Sequence, residues 1–160
     1  MGKVTVILVQ GDNSQIVDHI INDASHGIYS HVAIEFDWGI IEALGVKDHG
    51  DKYPGVWLHD PGKYFSAVGK SFDVELPNMA GAESEARQLI GTLYGYSDCV
   101  RGGLYDLLGI ELGGNKLTAN CSETVTRILR AGGFNILPDI PADCMTPNDL
   151  GRWFDGQGVA

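Results

Sequence analysis

The chain has 160 residues, 44% of them hydrophobic, with 21 acidic against 11 basic side chains and a formal net charge of -10. That length suffices for one core of ordinary size and predicts a single domain over residues 1–160. An acidic balance without a Lys/Arg cluster excludes the electrostatic footprint of a nucleic-acid binder or of a protein that docks on anionic membranes.

The amino-terminal MGKVTVILVQGD carries an apolar run too short for a membrane span and no small-residue cleavage site, so it reads as a mature strand. Its strand KVTVILV closes at Gly11-Asp12, and SQIVDHIINDAS then sets Ile16, Ile20 and Ile21 at helical spacing. YSHVAIEFDWGIIEALGV holds two short apolar runs around Asp37-Trp38-Gly39 and predicts a hairpin with strands near 30–36 and 40–44. GVWLHD and SFDVELP read as further strands. The stretch 54–70, rich in Gly, Pro, Lys and aromatics, reads as an irregular connection and a candidate wall of a binding cleft. After Pro77, Ala82, Ala86, Leu89, Ile90 and Leu93 mark one helix; Val100, Leu104, Leu107 and Leu108 mark another. A helix starting at Asn120-Cys121 stops at Gly132-Gly133, and a last one begins at Thr146-Pro147-Asn148-Asp149. Strands gathered in the first half and helices in the second predict an α+β domain, an antiparallel sheet packed against helices.

Three cysteines, Cys99, Cys121 and Cys144, at spacings of 22 and 23, fit neither a dense disulfide framework nor a paired zinc motif, so a reducing compartment is the simpler assumption. Cys121 in TANCSETVTRIL falls on the first helical position, where unpaired amides and the helix dipole favour a thiolate. It also lies on the face of Val125, Ile128 and Leu129, and a free cysteine there is most often plain packing. Glu123 is read first as the capping-box partner of Asn120. A base would change the reading of Cys121.

Of the five histidines, His19, His26, His49 and His59 read as solvated or locally bonded, His59 beside Asp60. His31 opens an apolar strand, and Glu42 sits in the equally apolar GIIEAL, so each needs a partner. With an even hairpin loop Ala33 stands opposite Glu42, and His31 is its diagonal neighbour on the same face. With an odd loop they part, and Asp60 or Gln10 would be the acid or amide to seek. The residues alone leave a structural and a catalytic pair equally open. The KDHGD loop at 47–51 has metal-ligand residue types, but adjacent polar residues in a loop are usually solvated.

SHVAIEF, then IIEALGV, then a distant NCSETV followed by Gly132-Gly133 and a Pro/Asp-rich end resembles the permuted papain-like cysteine hydrolases of the NlpC/P60 superfamily, especially the YiiX-like branch. The motifs span roughly residues 5 to 150, in the order histidine, acid, cysteine that permutation implies. The resemblance implies His31 as base, Glu42 as orienting acid and Cys121 as nucleophile, with the Cys121 backbone amide as an oxyanion donor. It also implies a substrate-binding role for Tyr105-Asp106, which matches the "YD" element of the group; a helix-surface pair is the alternative. No metal or organic cofactor is implied. The expected activity is that of an amidase or peptidase on peptide or amide substrates, of peptidoglycan type among others; a thioesterase or acyltransferase on lipid-like substrates and a non-catalytic binding module are the alternatives. The expected partners include neither a nucleic acid nor a membrane span, and the oligomeric state stays open. Lacking a signal peptide, the protein is expected to be cytoplasmic as synthesised, with phage-borne or leaderless delivery if the cell wall is the target.

Overall fold

Val4, Val6 and Leu8 are buried while Lys3, Thr5 and Ile7 between them are not, the period-two pattern of a strand with two different faces. The computed structural model of the chain describes residues 1–11, 27–67, 69–95 and 118–157. The segment at 12–26, with His19 and His26, and the segment at 96–117, with Cys99, the helix expected around Val100 to Leu108, and Tyr105-Asp106, lie outside the described residues.

Among the described residues seven strands form one sheet: β1 (Gly2–Gln10), β2 (Tyr29–Phe36), β3 (Gly39–Leu44), β4 (Gly55–His59), β5 (Gly69–Leu76), β6 (Leu93–Tyr94) and β7 (Thr118–Ala119), in the order β5-β1-β2-β3-β4-β6-β7. All neighbouring pairs are antiparallel except β6 with β7. Three helices accompany them among the described residues: α1 (Met79–Leu89), α2 (Cys121–Ala131) and α3 (Pro147–Gln157). The architecture is α+β, as expected. None of these helices is long and apolar enough to cross a membrane.

One face of the sheet supplies Val4, Val6, Leu8, Val32, Ile34, Phe36, Ile41 and Val56 to a cluster completed by Ala82 and Ala86 of α1, Val125, Ile128 and Leu129 of α2, and Leu150 and Phe154 of α3. Two helical expectations are corrected. Ile90 caps α1, Gly91 takes a φ of +88° that suits glycine, and Leu93 belongs to β6, because the chain must turn there to return to the sheet. Within 54–70, residues 55–59 pair with β3 as β4, the strand read from GVWLHD, and among the described residues Pro54 and 60–67 are irregular.

The opposite face positions the candidate site. The β2–β3 register runs Phe36↔Gly39, Glu35↔Ile40 and Ile34↔Ile41 across a two-residue loop, so its continuation sets Ala33 across from Glu42. The even loop thus puts His31 and Glu42 on one face. That hydrogen-bonded ladder stops at Ile34↔Ile41, and α2 packs against both strands.

α3 fixes the start of β2. Thr146 and Asp149 cap the helix reciprocally, the Asp149 carboxylate accepting from Thr146 N–H at 2.9 Å and Asp149 N–H donating to Thr146 Oγ1 at 3.1 Å. Asn148 then accepts from Tyr29 N–H and donates to Tyr29 C=O, both at 2.9 Å, as a neighbouring strand would.

Candidate active site

β7 delivers the chain into α2, whose first residue is Cys121. Asn120 is extended, and its Oδ1 accepts from Glu123 N–H at 2.8 Å, the N-cap expected of this sequence. Thr124 Oγ1 donates back to Asn120 C=O at 2.8 Å, and Arg127 lies 3.6 Å from Glu123. Cys121, Ser122, Glu123 and Thr124 are all buried, so this helix start is tucked into the protein, and the thiol is 2% exposed. α2 ends where Gly133 takes a φ of +82°, the stop read from the sequence.

The Cys121 sulfur hydrogen-bonds the His31 ring and the Val32 backbone N–H, and lies 3.9 Å from Ser122 Oγ. His31 Nε2 is 2.6 Å from Glu42 Oε2, which leaves Nδ1 to face the sulfur. The three residues singled out in the sequence therefore meet in one chain of contacts, with Glu42 on the same face as His31. Burial opposes charge on both partners, but the mutual hydrogen bond and attraction outweigh it. His31 is raised to about 10, through its bonds to Cys121 and Glu42. Cys121 is lowered below the ordinary thiol value by His31, the Val32 amide and the Ser122 hydroxyl. Both shifts favour the thiolate–imidazolium form of the pair over the neutral one.

Glu42 is 0% exposed and holds four partners. Oε2 accepts from His31 and from the Tyr64 hydroxyl. Oε1 lies 2.7 Å from Lys63 Nζ and 2.7 Å from His59 Nδ1. His59 Nδ1 has no well-aligned acceptor there, but its contact with Glu42 raises the His59 value. Burial alone would raise the Glu42 carboxyl; the donors reverse that and hold it far below the usual carboxylate range. Burial and the adjacent Glu42 charge push the Tyr64 phenol up, so it stays a donor, and its ring sits 5.7 Å from that of His31.

His59, read from sequence as solvated beside Asp60, is a correction: its partners are Glu42 and, at 3.1 Å through Nε2, Asp51. Parity could have found it, since His59 stands opposite Ile40 in β4 while Trp57 stands opposite Glu42. Lys63 and Tyr64 carried no comparable signal, although a buried carboxylate required some cation. The KDHGD loop is not merely solvated, because Asp48 binds Lys63 at 2.6 Å and Asp51 binds His59. Among the described residues no group of three or more His, Cys, Asp or Glu side chains is placed to hold a metal.

A cavity of about 350 Å³ lies on the same sheet face, lined by Ile7 and Val9 of β1, Glu35 of β2, and Tyr64 and Phe65 of the 60–67 connection. No protein-family model matches the chain, and no curated protein matches it.

Proposed function

We propose that this protein is a cysteine hydrolase with Cys121 as nucleophile, His31 as base and later acid, and Glu42 as the orienting carboxylate. The observation that carries the reading is the unbroken contact from the buried helix-start sulfur through imidazole to a fully buried carboxylate. A cysteine kept only for packing has no use for a charged imidazole against its sulfur. The order of the three residues, on two strands and a later helix start, supports the permuted papain-like, NlpC/P60-type reading of the fold.

The thiolate attacks the substrate carbonyl carbon, forming the C–S bond while the C=O electron pair moves to oxygen. The Cys121 backbone N–H, at the first turn where no intrahelical acceptor exists, donates to that oxyanion. His31 gives its proton to the leaving amine as the C–N bond breaks, and the neutral ring then takes a proton from water attacking the thioester. Glu42 keeps Nε2 protonated, so that Nδ1 is the nitrogen that exchanges protons with sulfur. The substrate class is an amide or peptide.

Iodoacetamide labelling at pH 6, read by peptide mass spectrometry, tests the nucleophile. Cys121 is expected to label at least tenfold faster than the buried Cys144, and His31→Ala is expected to remove the advantage. Equal labelling of the two cysteines, unaffected by His31→Ala, overturns the reading.

A further inference from the structure

We infer that the cavity on the outer face of β1 and β2 receives the acyl side of the substrate, and that it selects an acyl group that is apolar next to the scissile carbonyl and uncharged at its end. The inference rests on the hydrolase reading and adds a binding site to it.

Position is the first support. Val9 is the cross-strand partner of His31, Ile7 of Ala33 and Thr5 of Glu35, so the cavity floor continues the row that carries the base. Tyr64 is the shared wall: it bonds Glu42, packs against His31 and lines the cavity. From Val9 to Thr5 the floor runs about 13 Å at the rise of a strand, enough for an extended chain of several carbons.

Composition is the second. Next to His31 the lining is Val9, Ile7 and Tyr64; further out it becomes Thr5, Ser71 and Glu35. Ile7 and Val9 are left partly open to solvent on a strand whose other face is fully packed. Phe65, 97% exposed, stands at the lip, held there by turns that bond Phe65 N–H to Gly62 C=O and Gly62 N–H to Glu35. An exposed aromatic beside half-covered aliphatics offers apolar surface that an acyl chain would cover. The Glu35 carboxylate disfavours an anionic chain end, and Lys70, the cation of the lining, is held by Asp155 at 2.7 Å.

The probes are p-nitrophenyl acetate, p-nitrophenyl hexanoate and mono-p-nitrophenyl glutarate. Each would pass its acyl group to Cys121 as nitrophenolate leaves with the bonding electron pair, and water would then release the acid from the thioester. Wild type is expected to prefer hexanoate over acetate at least tenfold in kcat/KM, and to prefer acetate over glutarate. Both Ile7→Asn and Phe65→Ser are expected to cut the hexanoate preference severalfold; Phe65→Ser removes no buried contact, so its fold is not at risk. A hexanoate/acetate ratio within twofold in wild type, or a preference that survives both substitutions, overturns the acyl site while leaving the hydrolase. Absence of any nitrophenolate release that Cys121→Ser abolishes overturns both.

Discussion

Glu42→Gln exchanges one acceptor oxygen for an NH2 group at a point where His31, Lys63 and Tyr64 donate and His59 lies 2.7 Å away. If the new amide keeps its oxygen toward Lys63, which can only donate, its NH2 faces His31 Nε2 and the Tyr64 hydroxyl. Tyr64 can turn to accept, but His31 can accept only by losing its Nε2 proton, which leaves the remaining proton on Nδ1, facing the sulfur. That tautomer cannot take a proton from Cys121. Stability suffers as well: removing one member of a buried ion pair costs about 3–5 kcal/mol. Lys63 is 25% exposed and keeps Asp48 at 2.6 Å, so the low end of that range, about 3 kcal/mol, is expected. For a chain of this size that corresponds to a fall in Tm of roughly 6–12 °C. Iodoacetamide labelling at pH 6 measures the first effect and urea denaturation the second. Because folding lowers the Glu42 carboxyl, its contribution is fully present above the unfolded value of about 4.3 and is lost as pH falls through the folded one. The gap between wild type and variant should therefore narrow in acid. A loss below about 1 kcal/mol at pH 7 with labelling unchanged would refute the orienting role of the buried Glu42 carboxylate.

Cys121→Ser should retain the fold, being nearly isosteric in a helix's first turn, and should abolish labelling at that position and all turnover. In proton NMR of the wild type the His31 ring should titrate near 10, and in Cys121→Ser well below that, since the sulfur's bond and charge help to raise it; titration near 6.5 in both would count against the ion pair. Labelling of Cys121 should stay fast as pH drops below about 8.5, where an ordinary thiol slows, because its value is lowered by His31. Lys63→Met should slow labelling at pH 6 by removing a cation that holds Glu42 ionised, with Lys63→Arg restoring much of it; a variant as fast as wild type would show that Lys63 only decorates the loop.

The site's central chain was legible because each member sits on a regular element whose geometry is periodic. Asn120 and Cys121 follow from helix-start chemistry, and the two-residue turn at Asp37-Trp38 turns sequence parity into a shared face for His31 and Glu42. His59 was missed because its sequence neighbour Asp60 offered a nearer partner than Asp51 or Glu42, which only the β3–β4 register brings close. Lys63 and Tyr64 ride on irregular turns, where direction does not follow from spacing. Ile90 and Leu93 misled for a related reason: apolar spacing continues past the helix, but the glycine between them ends it.

His31 and Glu42 lie far ahead of Cys121 in the chain, and the side chain that fixes the start of β2, Asn148, comes later still. A ribosome adding 5–20 residues per second releases Cys121 some 4–16 s after Glu42. Through that interval Glu42 can find Lys63, Tyr64 and His59, all made soon after it, so the anionic half of the site can form without its thiol. The Cys121 sulfur thus emerges only after the polar partners that surround Glu42 have been made.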